Sequence, residues 1–307
     1  MPNKPSESST AVYLIVAGSY EGGIGGYSFN EAEATFEQLF GYQAHIGAVK
    51  TVSCEGRHLA TGGSDEVVHL FDVHNLREAG GLSCHKSSVT AVALHGNVLL
   101  SCSAEGELSV NEWKGGEWNS RLVLQAHKSA VTGAAIHSSS RVALTVSADG
   151  SMKMWDLMRG TCAYVHTLSS ESSVFKAIPS DVSFYNDSFL ITMQNKLFAG
   201  SLASEEIKQI QGVFSKAAII AKDVILVGDV KGNLMLLSMK DDSRSPIEGS
   251  PHTGRIKGIS LLNQGLLLTV CSEGTLAIWK FDGFSVTPVV KTEAKIGRIT
   301  CVSSCRA

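Results

Sequence analysis

A chain of 307 residues has room for two ordinary domains or for one large all-β or α/β-barrel domain. Hydrophobic residues make up 44% and charged residues 18%, so a sizeable core can be buried, while the longest apolar runs, such as 261–268, are too short and interrupted to span a bilayer. With 26 basic against 29 acidic residues the formal net charge is −3, which leaves no field of one sign to draw the chain toward nucleic acid or a membrane.

Residues 1–10, MPNKPSESST, hold no apolar stretch and no arginine; they read as a flexible tail rather than a secretory or mitochondrial signal. The apolar run 13–16 leads into AGSYEGGIGGYSF (17–29), where Gly22, Gly23, Gly25 and Gly26 lie within five residues. A glycine-rich loop after a strand can cradle a phosphate. Here no Lys-Ser/Thr follows, and Ser28 stands where a dinucleotide fingerprint needs its last glycine. The stretch is therefore expected to be a hairpin, with strands at 12–18 and 24–29 and Gly22-Gly23 supplying positive φ in the turn. Residues 31–40 carry the one weak helical period in the chain.

From Gln43 onward the chain resembles itself. QAHIGAVKTV at 43 returns as SCHKSSVTAV at 83 and QAHKSAVTGA at 125. Each copy is followed by an apolar run, a turn, and an acidic residue six positions before an aromatic place, as in HLATGGSDEVVHLFD, VALTVSADGSMKMWD and, near the end, LLLTVCSEGTLAIWK. Aligned centres fall at Phe71, Asn111, Trp155 and Trp279, with weaker equivalents near Gly200 and Leu237. That spacing of about forty to forty-five residues is the period of a four-stranded propeller blade. Six repeats run from about 43 to 282. Residues 11–42 hold three strand-like pieces without a first strand, and ITCVS at 299–303 is a first strand with nothing after it. The expected fold is all-β: a single seven-bladed WD40 β-propeller over 11–307, closed by a blade shared between the termini (11–42 plus 298–307). Such closure removes the open sheet edges that invite aggregation.

Matching places in the repeats hold a histidine, a hydroxyl, an acid and an aromatic: His45, Thr61, Asp65 and Phe71; His127, Thr145, Asp149 and Trp155; His252, Thr269, Glu273 and Trp279. The second repeat has His85, Ser101 and Glu105, with Asn111 in the aromatic place. A His–Ser–Asp set suggests a hydrolase. An enzyme needs one such set, however, whereas a scaffold needs one per blade, so these are expected to be structural networks that tie each lead-in loop to the turn after the second strand. No catalytic residue is assigned. Blades four and five, roughly 173–204 and 213–242, lack the set and should be the softer side of the ring. Seven cysteines, none in a C-x-x-C pair, read as reduced core residues of a cytosolic or nuclear protein, with no disulfide, metal or cofactor.

Propellers bind partners mostly on the face formed by the loops that lead into each first strand and by the second-to-third-strand turns. That face should carry Lys86, Lys128, Arg255 and Lys257, together with Glu66, Glu105 and Glu107, and Tyr20 and Glu21 of the closing blade. Tyr20 is the favoured anchor, because a turn aromatic has no obvious core role. Trp113 and Trp118, in NEWKGGEWN, fit either packing on the blade flank or exposure to a partner.

Taken together, VAGSYEGGIGGYSF, TGGSDEVVHLFD (61–72), the 126–160 segment, MQNKL (193–197) and RITCV (298–302) resemble the p21-activated-kinase-interacting proteins, WD40 factors of large ribosomal subunit assembly. The resemblance spans nearly the whole propeller. It implies a non-enzymatic scaffold in 60S biogenesis, monomeric and without membrane contact, which binds pre-60S assembly proteins and meets pre-rRNA particles through them. The alternative it implies is a signalling adaptor that binds and restrains a p21-activated-type kinase. A nuclear and nucleolar location follows from the resemblance, with the cytoplasm as the alternative. The family's lysine-rich tail would follow the closing strand, but this sequence ends at Ala307, so contact with protein is expected over direct contact with RNA.

Overall fold

Short Val/Ile/Leu-rich runs broken by Gly, Asn and Asp turns leave backbone groups that only neighbouring strands can satisfy. The computed structural model describes residues 11–168 and 177–307; the predicted tail and the first residues of the fourth repeat lie outside them. Among the described residues, twenty-eight strands, β1–β28 in chain order, make seven antiparallel sheets of four strands. Blades one to six occupy 49–82, 89–125, 131–167, 179–211, 216–247 and 256–293 in succession. Blade seven is assembled from both ends, in the order β28 (Ile299–Arg306), β1 (Val12–Ser19), β2 (Gly23–Asn30) and β3 (Thr35–Gln43). β28 pairs with β1 from Tyr13↔Arg306 to Gly18↔Cys301, which closes the ring.

Two expectations change. The sixth sheet does not stop at Asp282 but adds an outer strand, β27 (Val286–Glu293), paired to β26 (Thr275–Phe281). The 31–40 stretch is not helical: from Thr35 it is β3, paired with β2. A bulge at Leu39 separates its two phenylalanines, so Phe36 packs toward blade six and Phe40 toward blade one.

Each core lies between adjacent blades, sheet against sheet. Between blades seven and six, for example, Ile15 and Phe29 pack on Leu268, Leu276 and Ile278. Around the axis, inner-strand hydroxyls bond the next blade. Ser53 Oγ accepts the Leu94 N–H at 3.0 Å, Ser215 Oγ donates to the Ile256 carbonyl at 2.8 Å, and Ser303 Oγ accepts the Cys54 N–H at 3.1 Å. In the hairpin, Gly22 alone holds positive φ (+94°), and a side chain there would strike the His45 carbonyl. Gly23 already belongs to β2, and Gly26 leaves the space that the Phe40 ring fills.

Candidate functional site

Four buried histidines organise the lead-in face. His127 shows the complete network. Its Nε2 lies 2.7 Å from Thr145 Oγ1, its Nδ1 lies 3.1 Å from Asp149 and from Ser151 Oγ, and the Trp155 indole donates to Thr145 at 2.9 Å. His45 bridges Thr61 at 2.7 Å and Asp65 at 2.8 Å, but Phe71 offers no donor. His252 reaches Thr269 at 2.7 Å, and Trp279 donates to the same hydroxyl at 2.7 Å.

The acids differ from expectation in two blades. The partner of His85, besides Ser101 at 2.8 Å, is Glu107 at 3.2 Å rather than Glu105. Glu107 stands where blade three has Ser151, at the start of its strand, and its side chain is long enough to reach the ring. Glu273 accepts from the Ser272 hydroxyl instead of His252, whose Nδ1 has no partner. Asn111 turns to the Leu99 carbonyl. In blade five the polar turn is purely local, Asp229 bonding Asn233.

Thr61, Ser101, Thr145 and Thr269 are each 0% exposed, so no substrate can reach a hydroxyl nucleophile. Burial pushes the His127 imidazole below its ordinary pKa and that of His252 down to about 4, so both are neutral at pH 7. Burial works against the Asp149 carboxylate, but hydrogen bonds from Ser151 and the Lys128 backbone outweigh it and hold the group at about 2.

Of the predicted contact residues, Tyr20 (63% exposed), Glu21, Lys86, Lys128 and Arg255 stand exposed. Lys257 does not. It lies on β24 (Ile256–Asn263), half-buried in the central channel, where burial and the neighbouring Arg255, Arg298 and Lys216 push its ammonium down. A cavity of about 570 Å³ opens at the channel mouth between Lys50, Thr90, Ile178, Val230 and Arg255. Residue-level reasoning missed the apolar members of this face: Ile46 (89% exposed), Val213, Ile178 and Val230. Their signal was present in the sequence, as apolar residues inside lead-in loops and turns where polar ones are usual.

Trp113 and Trp118 resolve to packing. Their rings lie 5.5 Å apart and enclose His58 of the neighbouring blade, with Trp118 buried. Among the cysteines, Cys162 is exposed on an outer strand, unlike the core role expected for it; all seven are free.

The WD40 family (WD domain, G-beta repeat) matches residues 36–72 and 118–156, each an outer strand followed by three strands of the next blade. The chain is 25% identical over 305 residues to "p21-activated protein kinase-interacting protein 1-like" of Danio rerio, covering 94% of this chain and 79% of the relative. It is 29% identical to "Shk1 kinase-binding protein 15" of Schizosaccharomyces pombe, over 94% and 83%. Its identity to "Protein MAK11" of Saccharomyces cerevisiae is 24%, over 87% and 77%. The solved structure of U3-55K superposes with a TM-score of 0.72 at 14% identity, covering 85% of this chain and 86% of that one, which is a likeness of fold.

Proposed function

We propose, from the premise that this chain belongs to the WD40-repeat family of p21-activated-kinase-interacting proteins, that it is a scaffold in large (60S) ribosomal subunit assembly. It binds assembly proteins through its lead-in face. The observation that carries the binding reading is the composition of that face. Ile178 and Val230 line the channel mouth with Lys50 and Arg255, and exposed Tyr20, Ile46 and Val213 stand on loops of the same face, so apolar anchors share it with cations suited to an acidic partner segment. The ribosomal reading rests on the family-specific segments, from the VAGSYEGG opening to RITCV. It places the protein in the nucleus and nucleolus, acting as a monomer without membrane contact and associating with pre-rRNA through proteins. The buried tetrads serve the fold, and no turnover is assigned to them.

A second reading, an adaptor that binds and restrains a p21-activated-type kinase, is favoured by the names of the Danio rerio and Schizosaccharomyces pombe relatives. Affinity purification of the tagged chain, with the eluate examined for proteins and RNA, separates the two. Recovery of large-subunit assembly proteins with pre-rRNA is the expected result. A kinase recovered in their absence would replace the first reading with the second.

A further inference from the structure

We propose a zinc-class divalent metal site formed by His45, Asp65 and His69 at the lead-in end of blade one. One ring nitrogen each of His45 and His69 and a carboxylate oxygen of Asp65 lie within 4.8 Å of one another. His45 Nδ1 is 2.8 Å from Asp65 Oδ1, and His69 Nε2 is 3.8 Å from Asp65 Oδ2. Donors about 2.0–2.1 Å from a tetrahedral Zn²⁺ stand roughly 3.4 Å apart, so the set is completed when the His45–Asp65 pair opens and His69 closes, each by about half an ångström.

Blade one differs from its neighbours in the two ways such a site needs. In blades three and six an indole N–H occupies the threonine oxygen, so the hydroxyl proton turns to histidine Nε2 and the imidazole proton stays on Nδ1. Phe71 removes that donor. Thr61 Oγ1, 2.7 Å from His45 Nε2, can then accept from it, so the imidazole proton can move to Nε2 and free the Nδ1 lone pair for a metal. A bound cation would displace the proton that Nδ1 and Asp65 now share at 2.8 Å.

The second difference is His69 itself. Opposite the hydroxyl residue in the sheet register, blades two, three and six hold Ser109, Lys153 and Ala277, and blade one holds His69. Glu78 Oε1 lies 3.2 Å from His69 Nδ1, so it accepts that N–H and directs the Nε2 lone pair toward Asp65. A carboxylate behind a ligating histidine is the usual support of a zinc ligand. Two imidazoles and one carboxylate suit Zn²⁺ or Co²⁺ over Mg²⁺ or Ca²⁺. With Asp65 and His69 side chains 14% and 23% exposed, solvent has access to a fourth position. The bound ion would pin the loop that presents Ile46, whose N–H already donates to Asp65 Oδ2 at 3.1 Å.

The test is titration of the untagged full chain, carrying Cys162→Ser, with ZnCl₂ by calorimetry and with CoCl₂ by absorbance. The expected result is one equivalent bound, a Co²⁺ spectrum without thiolate charge transfer, and a zinc-dependent rise in Tm. His69→Gln, at a partly buried position outside the His45–Thr61 pair, should weaken binding at least tenfold with the fold retained, and Glu78→Gln should weaken it less. Absence of saturable binding, affinity unchanged in His69→Gln, or a thiolate-to-cobalt band would each overturn the site.

Discussion

At Thr145 and Thr269 one hydroxyl joins an indole donor to an imidazole, and nothing about the pair is exposed to water. Trp155→Phe would leave Thr145 without the donor and trim the core, so urea unfolding should show a loss of about 1–3 kcal/mol, with the fold retained. A loss below about 0.3 kcal/mol would remove the stabilising role argued for the network. His252 supplies a pH dependence. Its folded pKa, near 4, lies below the unfolded imidazole value of about 6.5, so its contribution is complete above about 6.5 and lost as pH falls toward 4. Stability measured from pH 7 to 4 should decline, and His252→Gln should flatten part of that slope; equal slopes in both chains would contradict it. The histidines, hydroxyls and aromatics of these networks were legible because they recur in register. The acids were not. Glu107 and Glu105 are two residues apart and both acidic, and only side-chain reach, which spacing does not encode, selects one of them.

Within the closing blade, glycine acts by absence. A Cβ on Gly26 would lie 2.2 Å from the Phe40 ring, so strand β2 needs glycine where strand β3 needs a phenylalanine. Gly26→Ala should cost about 1–3 kcal/mol by overpacking. Adding Phe40→Ala should give back part of that loss, a coupling above about 0.5 kcal/mol in a double-mutant cycle. Strict additivity would mean that the two sites do not share this space. The hairpin itself was readable from its glycine-rich turn. Strand β3 was not, because residues 31–40 carry a weak helical period, and pairing with β2, with a bulge at Leu39, overrides it.

For the whole molecule, the ring closes through β28, which pairs with β1 and bonds blade one through Ser303. Deletion of residues 299–307 would expose the inner edge of β1 and cut that link. The truncated chain should elute as aggregate on size exclusion and lose its single cooperative unfolding transition; a monomer of unchanged stability would show that the shared blade is dispensable. Blade number and closure were legible from a period and two incomplete ends. The lead-in face was only half legible: the charged residues of its loops could be assigned by blade geometry, but Ile178 and Val230 meeting at the channel mouth, and Ile46 and Val213 standing exposed on lead-in loops, required the fold. The central claim, a scaffold that binds through this face, is tested most directly by quantitative co-purification with the intact chain and with Tyr20→Ala/Ile46→Asp/Arg255→Glu, both first shown to be folded. The account expects large-subunit assembly proteins and pre-rRNA with the intact chain and at least a tenfold loss with the variant. Equal recovery by both chains would contradict it.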